Sequence, residues 1–131
     1  MSTVFLKEVW AQMKIGDFAK ATGIPPSTLR YYEEKGLMRV SRDKSGYRCY
    51  AAQDIAWVQF IQRLKDTGML LRDIRQYAAL RYAGSATMAE RLTMLEKHRN
   101  HVCAMQQKWT SCLQNLDDKI MFYRQEIAKI R

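Results

Sequence analysis

From Lys14 onward the apolar positions recur with a helical period. Ile15, Phe18 and Ala19 fall at i, i+3 and i+4 and mark one apolar face, and Gly23 predicts a stop. Pro25-Pro26 forces extended backbone at Pro25 and offers Pro26 as a first helical residue, where a missing N–H costs nothing. A second short helix is predicted from about Pro26 to Lys35, capped by Gly36. Two short helices across a tight turn make a helix-turn-helix. Asp43-Lys44-Ser45-Gly46 then reads as a turn between two β-prone runs, Met38–Val40 and Tyr47–Tyr50, which predicts a small hairpin.

A third helix is predicted from about Ala52 to Thr67. Ile55, Val58, Ile61 and Leu64 form its stripe, Trp57 and Phe60 widen it, and Gly68 ends it. A fourth runs from about Leu71 to Tyr82, with Ile74, Tyr77, Ala78 and Arg81 on related faces, and Gly84-Ser85 breaks it. The tail from Thr87 to Arg131 holds no Gly and no Pro. Its seam alternates steps of four and three: Met88, Leu92, Leu95, Arg99, Val102, Gln106, Trp109, Leu113, Leu116, Ile120, Tyr123, Ile127, Ile130. That is a coiled-coil repeat, and such a rod would be roughly 68 Å long. It needs a partner helix, most simply from a second copy. The expected architecture is all-α with a small β-wing. It comprises an irregular N-terminal extension (1–12), a winged helix-turn-helix domain (13–84) and a coiled-coil dimerisation helix (85–131).

Charge narrows the function. The chain has 131 residues, with 22 Lys and Arg against 13 Asp and Glu, a net +9 that suits a polyanionic partner. Residues 14–50 hold eight basic and four acidic groups, which makes the N-terminal third the best anion-facing surface. No run is long and apolar enough for a membrane span, and no signal peptide is evident, so no membrane partner and a cytoplasmic location are expected. Cys49, Cys103 and Cys112 are an odd set without paired spacing, which argues against a disulfide framework. Cys103 and Cys112 lie nine residues apart and point to opposite sides of one helix. His98 and His101 share a face that Cys103 leaves. No metal site and no cofactor are expected. No carboxylate pair, Ser/His/Asp set or Gly-rich phosphate loop marks an enzyme.

The strings MKIGDFAKATGI, PSTLRYYEEKGLM, SGYRCYAAQDI and WVQFIQRLKDTGM, with the long terminal helix, resemble the MerR family of bacterial transcription regulators. The resemblance covers Met13 to about Arg131. It implies a winged helix-turn-helix, two further helices and dimerisation through antiparallel long helices. The function implied is binding of double-stranded promoter DNA as a homodimer, at a spacer between promoter elements. Bending and untwisting that DNA would act on RNA polymerase indirectly. The residues expected to contact DNA are Lys14, Ser27, Thr28, Arg30, Tyr31, Arg42, Lys44, Tyr47 and Arg48. Ser27 and Thr28 donate to phosphate near a helix N-terminus, and Arg30 offers a bidentate contact. Tyr47 and Arg48 match the family's phosphate-contacting pair, with Arg42 and Lys44 at the wing tip. Leu29 and one of the two tyrosines are expected to point inward. Glu33 and Glu34 should face away from DNA or pair with nearby Arg and Lys.

The pattern looks most like the small aldehyde- or electrophile-responsive branch. Arg63, in FIQRL, stands where that branch places a reactive cysteine. Cys49, beside Arg48, is the remaining thiol in the DNA-binding half, a candidate redox sensor weighed against an inert packed residue. The alternative reading is a DNA-architectural or excisionase-like winged-helix protein. Such proteins usually lack the long terminal helix.

Overall fold

In the computed structural model, residues 12–131 are described. The chain runs β1 (Gln12–Met13), α1 (Ile15–Thr22), α2 (Pro26–Glu34), β2 (Ser41–Arg42), β3 (Arg48–Ala51), α3 (Asp54–Asp66), α4 (Leu71–Ala83), a 3-10 turn at Ser85–Thr87, and α5 (Met88–Ile130). The architecture is mostly helical with a three-stranded antiparallel sheet, in the order β1-β3-β2. The chain divides after Arg91 into two compact units.

Local chemistry sets the helix-turn-helix. Gly23 takes the left-handed conformation and its N–H donates to the Ala19 carbonyl at 2.9 Å. The Thr22 hydroxyl, buried in the turn, donates to Phe18 O and accepts from Ile24 N. Pro26 opens α2 behind an extended Pro25. Gly36, at φ 76°, closes it: Leu37 N–H reaches back to Tyr32 O at 2.8 Å and Gly36 N–H to Glu33 O at 3.1 Å. This paired closure satisfies the last carbonyls and buries the residue after the glycine. Leu37 is indeed 1% exposed.

The sheet differs from the expected hairpin in two ways. First, Gln12 and Met13 pair with Ala51 and Tyr50, adding a third strand. Of the expected irregular extension, residues 1–11 lie outside the described residues, and Gln12 is in a strand. Second, the first wing strand is Ser41–Arg42, not Met38–Val40. The physical reason is tertiary. Met38 follows Leu37 into the core, and the Arg39 N–H is taken by the Tyr82 hydroxyl at 3.0 Å, so pairing with β3 starts only at Ser41. The wing tip is closed by Asp43, whose carboxylate accepts from Ser45 N and Tyr47 N at 2.8 and 2.9 Å.

The core of the first unit joins Phe18, Leu29, Tyr32, Tyr50, Val58, Ile61 and Ile74, each no more than 1% exposed. Phe18 stacks on Tyr50 with ring centroids 4.6 Å apart. Trp57 ties the helices together. Its indole N–H donates to Leu37 O at 3.0 Å, its ring stacks on Tyr77, and the Arg81 guanidinium lies 4.3 Å over it. Arg81 also approaches Asp54 at 3.9 Å, and burial holds the Asp54 carboxyl above its ordinary range against that cation. At the start of α5, the Thr87 hydroxyl donates to the Leu80 and Gly84 carbonyls and accepts from Arg91 Nε.

The second unit is the rest of α5. Trp109, Leu113, Leu116, Ile120, Tyr123 and Ile127 lie along one seam, each 46–67% exposed in the single chain.

Candidate nucleic-acid interface

Three segments far apart in sequence build one cationic cleft. Lys14 sits at the N-terminal boundary of α1, Arg30 at the middle of α2, and Arg42, Tyr47 and Arg48 on the wing. Their side chains, with Ile15 and Gly46, line a cleft of about 300 Å³. The fold explains the convergence. The turn after Gly23 swings α2 beside α1, and β3 returns from the wing tip to pair with β1 directly ahead of Lys14.

One acid serves this cleft. Arg30 and Glu33 are three residues apart on α2 and so share a face. Glu33 Oε1 accepts from Arg48 Nε at 2.6 Å, and Oε2 lies 3.7 Å from Arg42. The hydrogen bond to Glu33 is the main reason the Arg48 guanidinium holds its proton more tightly than usual. Arg42 donates its other amino group to Gly46 O at 3.3 Å. Beneath them the buried Tyr50 hydroxyl is held above the ordinary tyrosine range, chiefly by burial. Arg48 is therefore hydrogen-bonded to α2, and Arg42, itself half exposed, stands within ion-pair distance of the same carboxylate.

The remaining expected contact residues fall elsewhere on the same unit. Ser27 is exposed and Thr28 half-buried in the first turn of α2, and Lys44 is exposed at the wing tip. Tyr31 stands apart from the cleft. Its ring lies under the ammonium groups of Lys35 and Lys65, at 5.7 and 5.8 Å. It borders a second, apolar groove of about 130 Å³ with Leu37, Lys65 and Leu71. Tyr32 is the inward tyrosine, 1% exposed, and Leu29 points inward with it. Cys49 is half-buried on β3 opposite Ser41, with its sulfur 3.9 Å from Tyr47 O. Arg63 is exposed on α3. Among the described residues no cluster of three His, Cys, Asp or Glu side chains could hold a metal ion, and no helix is long and apolar enough to cross a membrane.

The sequence leaves open whether Glu33 faces away from DNA or pairs with a nearby Arg or Lys; it pairs with Arg48 and Arg42. Its i+3 spacing from Arg30 was the available sign that it faces the cleft. The Arg39–Tyr82 and Arg81–Trp57 contacts left no local sign, because each joins residues more than twenty positions apart.

Comparison with known proteins is specific. Residues 13–80 match the family described as MerR HTH family regulatory protein, and residues 55–119 match MerR, DNA binding. An uncharacterized HTH-type transcriptional regulator of Haemophilus influenzae is 35% identical over 111 residues, covering 84% of this chain and 82% of that one. The regulator AdhR of Bacillus subtilis is 35% identical over 91 residues, covering 69% and 65%. The crystal structure of HiNmlR, a MerR family regulator lacking the sensor domain, bound to promoter DNA, aligns with a TM-score of 0.79 at 33% identity, over 89% of this chain and 94% of that one.

Proposed function

This chain belongs to the MerR family of DNA-binding transcription regulators, and we propose that it works as a homodimer seated on the spacer between promoter elements. The carrying observation is the cleft. Lys14, Arg30, Arg42, Tyr47 and Arg48 come from three separate segments and surround one groove. Side chains of that kind converge where a phosphate backbone is gripped. In this reading α2 enters the major groove, with Ser27 and Thr28 donating to phosphate and Arg30 reaching a base edge or phosphate. The wing holds the backbone through Tyr47 and Arg48, with Lys44 at its tip. Tyr31, flanked by Lys35 and Lys65, meets the backbone on the far side of α2.

The second half of the reading is the dimer. Residues 13–84 act as the DNA-binding domain and residues 85–131 as the dimerisation helix, paired antiparallel. The apolar seam of α5, bare in the single chain, supports it. Two heads at fixed separation bend and untwist the intervening duplex, which changes promoter geometry for RNA polymerase without touching the enzyme. The protein does this in the cytoplasm.

The test combines selection and footprinting. Duplexes retained from a random pool at physiological salt should be enriched in inverted half-sites. On genomic DNA, protection should fall between promoter elements. Protection confined to a recombination attachment site would favour an architectural protein instead. Retention without any sequence preference would end the regulator reading.

A further inference from the structure

We infer that Glu33 is a positioning residue, which aims Arg42 and Arg48 of the wing at the DNA backbone and so couples the wing's grip to base reading by α2. The inference rests on the proposed DNA-binding mode of the cleft and assigns a role to a residue outside the proposed set of DNA contacts.

Three observations carry it. The first is geometry. Glu33 takes Arg48 through Nε at 2.6 Å. That leaves the two terminal amino groups of a side chain that lines the cleft, and a guanidinium held by Nε presents those amino groups together as a fork for one phosphate. The same carboxylate stands 3.7 Å from Arg42 through its second oxygen, so one acid on α2 hydrogen-bonds one wing arginine and ion-pairs with another.

The second is the place of the acid in its helix. Glu33 lies in the last turn of α2, which has no basic residue there. A negative charge at a helix C-terminus opposes the helix dipole. The helix dipole therefore gives no reason for a carboxylate at this position, whereas the wing arginines do.

The third is the sign of its charge. Four cations, Lys14, Arg30, Arg42 and Arg48, line the cleft. A carboxylate beside them lowers general attraction for a polyanion. A surface selected only for affinity would omit it. Orientation of the wing relative to α2 is what it adds. A phosphate contact carries sequence information only if it fixes the register of the reading helix.

The two effects separate experimentally because they act in opposite directions on different duplexes. The experiment measures Glu33→Gln and Glu33→Ala in the full chain. One duplex is a selected one that wild type prefers, and the other is its scrambled counterpart, each over a salt series. Glu33→Ala should weaken binding to the selected duplex tenfold or more. It should leave the scrambled duplex bound as well as before or more tightly, with a salt slope steeper by up to about 2 per dimer. Glu33→Gln keeps an oxygen acceptor for Arg48 Nε and should fall between Ala and wild type. Thermal unfolding of both variants should stay near wild type.

If both duplexes bind more tightly in step, Glu33 is merely a repulsive charge and the inference fails. If both weaken in step with a lowered melting temperature, Glu33 is a structural support and the inference fails too. If wild type itself does not distinguish the two duplexes, the DNA-binding reading falls, a different result from either.

Discussion

Lys14→Gln tests the cleft most directly. Lys14 lies at the boundary of α1, outside the wing and outside α2, so its replacement leaves the Glu33 contacts in place. Four cations line each cleft, and the proposed dimer has two clefts. If all eight neutralise phosphates, the slope of log affinity against log salt is about −7. Affinity then falls roughly 2 × 10⁴-fold between 50 and 200 mM salt. Losing Lys14 removes two phosphate contacts per dimer, which brings the slope to about −5.4 and the fall to roughly 2 × 10³-fold. Should Glu33 cancel one cation per cleft, both slopes shrink together, and their difference of about 1.8 survives. Fluorescence anisotropy of a labelled duplex across that salt range reads the difference. The weakening should be similar for selected and scrambled duplexes, because a phosphate contact does not read sequence. A slope equal to wild type would refute the placement of Lys14 on the backbone.

Other outcomes follow from features away from the cleft. Trp57→Phe keeps an aromatic ring against Tyr77 but leaves the Leu37 carbonyl without the indole donor, so urea unfolding should show a loss of ~1–3 kcal/mol. Leu116→Asp puts a charge in the exposed seam of α5 and should shift sedimentation toward monomer; a variant that stays dimeric would move the interface elsewhere. The His98 imidazole lies below its ordinary range, first through burial and then through His101. Its folded pKa is depressed, so it contributes stability above the unfolded value of ~6.5, and that contribution is lost as pH falls through the folded value. An NMR titration of His101→Gln should raise the His98 pKa only part of the way, because burial remains.

What was legible in the sequence had local causes. Gly23, Pro26 and Gly36 fix the ends of α1 and α2 through backbone geometry that neighbouring residues dictate. The 4-3 repeat of α5 is likewise written along a single helix. The grouping of Tyr47 and Arg48 as contact residues came from resemblance, and the cleft they share with Lys14 and Arg30 required the fold. β1 was missed because two residues carry no periodicity and their partners, Tyr50 and Ala51, are distant in sequence. The shift of the first wing strand to Ser41 depends on Met38 finding the core and Arg39 finding Tyr82. Neither contact leaves a mark in the local pattern. Arg81 read as one position on an amphipathic face, whereas its guanidinium packs flat on Trp57, and cation–π stacking has no sequence period.

The bare stripe along α5 has a consequence for dosage. If one chain offers half a reader, the supply of whole readers depends on encounters between chains. At abundances below the dimer dissociation constant, halving the number of chains leaves about a quarter of the assembled readers. Promoter occupancy would then follow roughly the square of chain abundance, a steeper response to synthesis and degradation than a reader made of one chain would give.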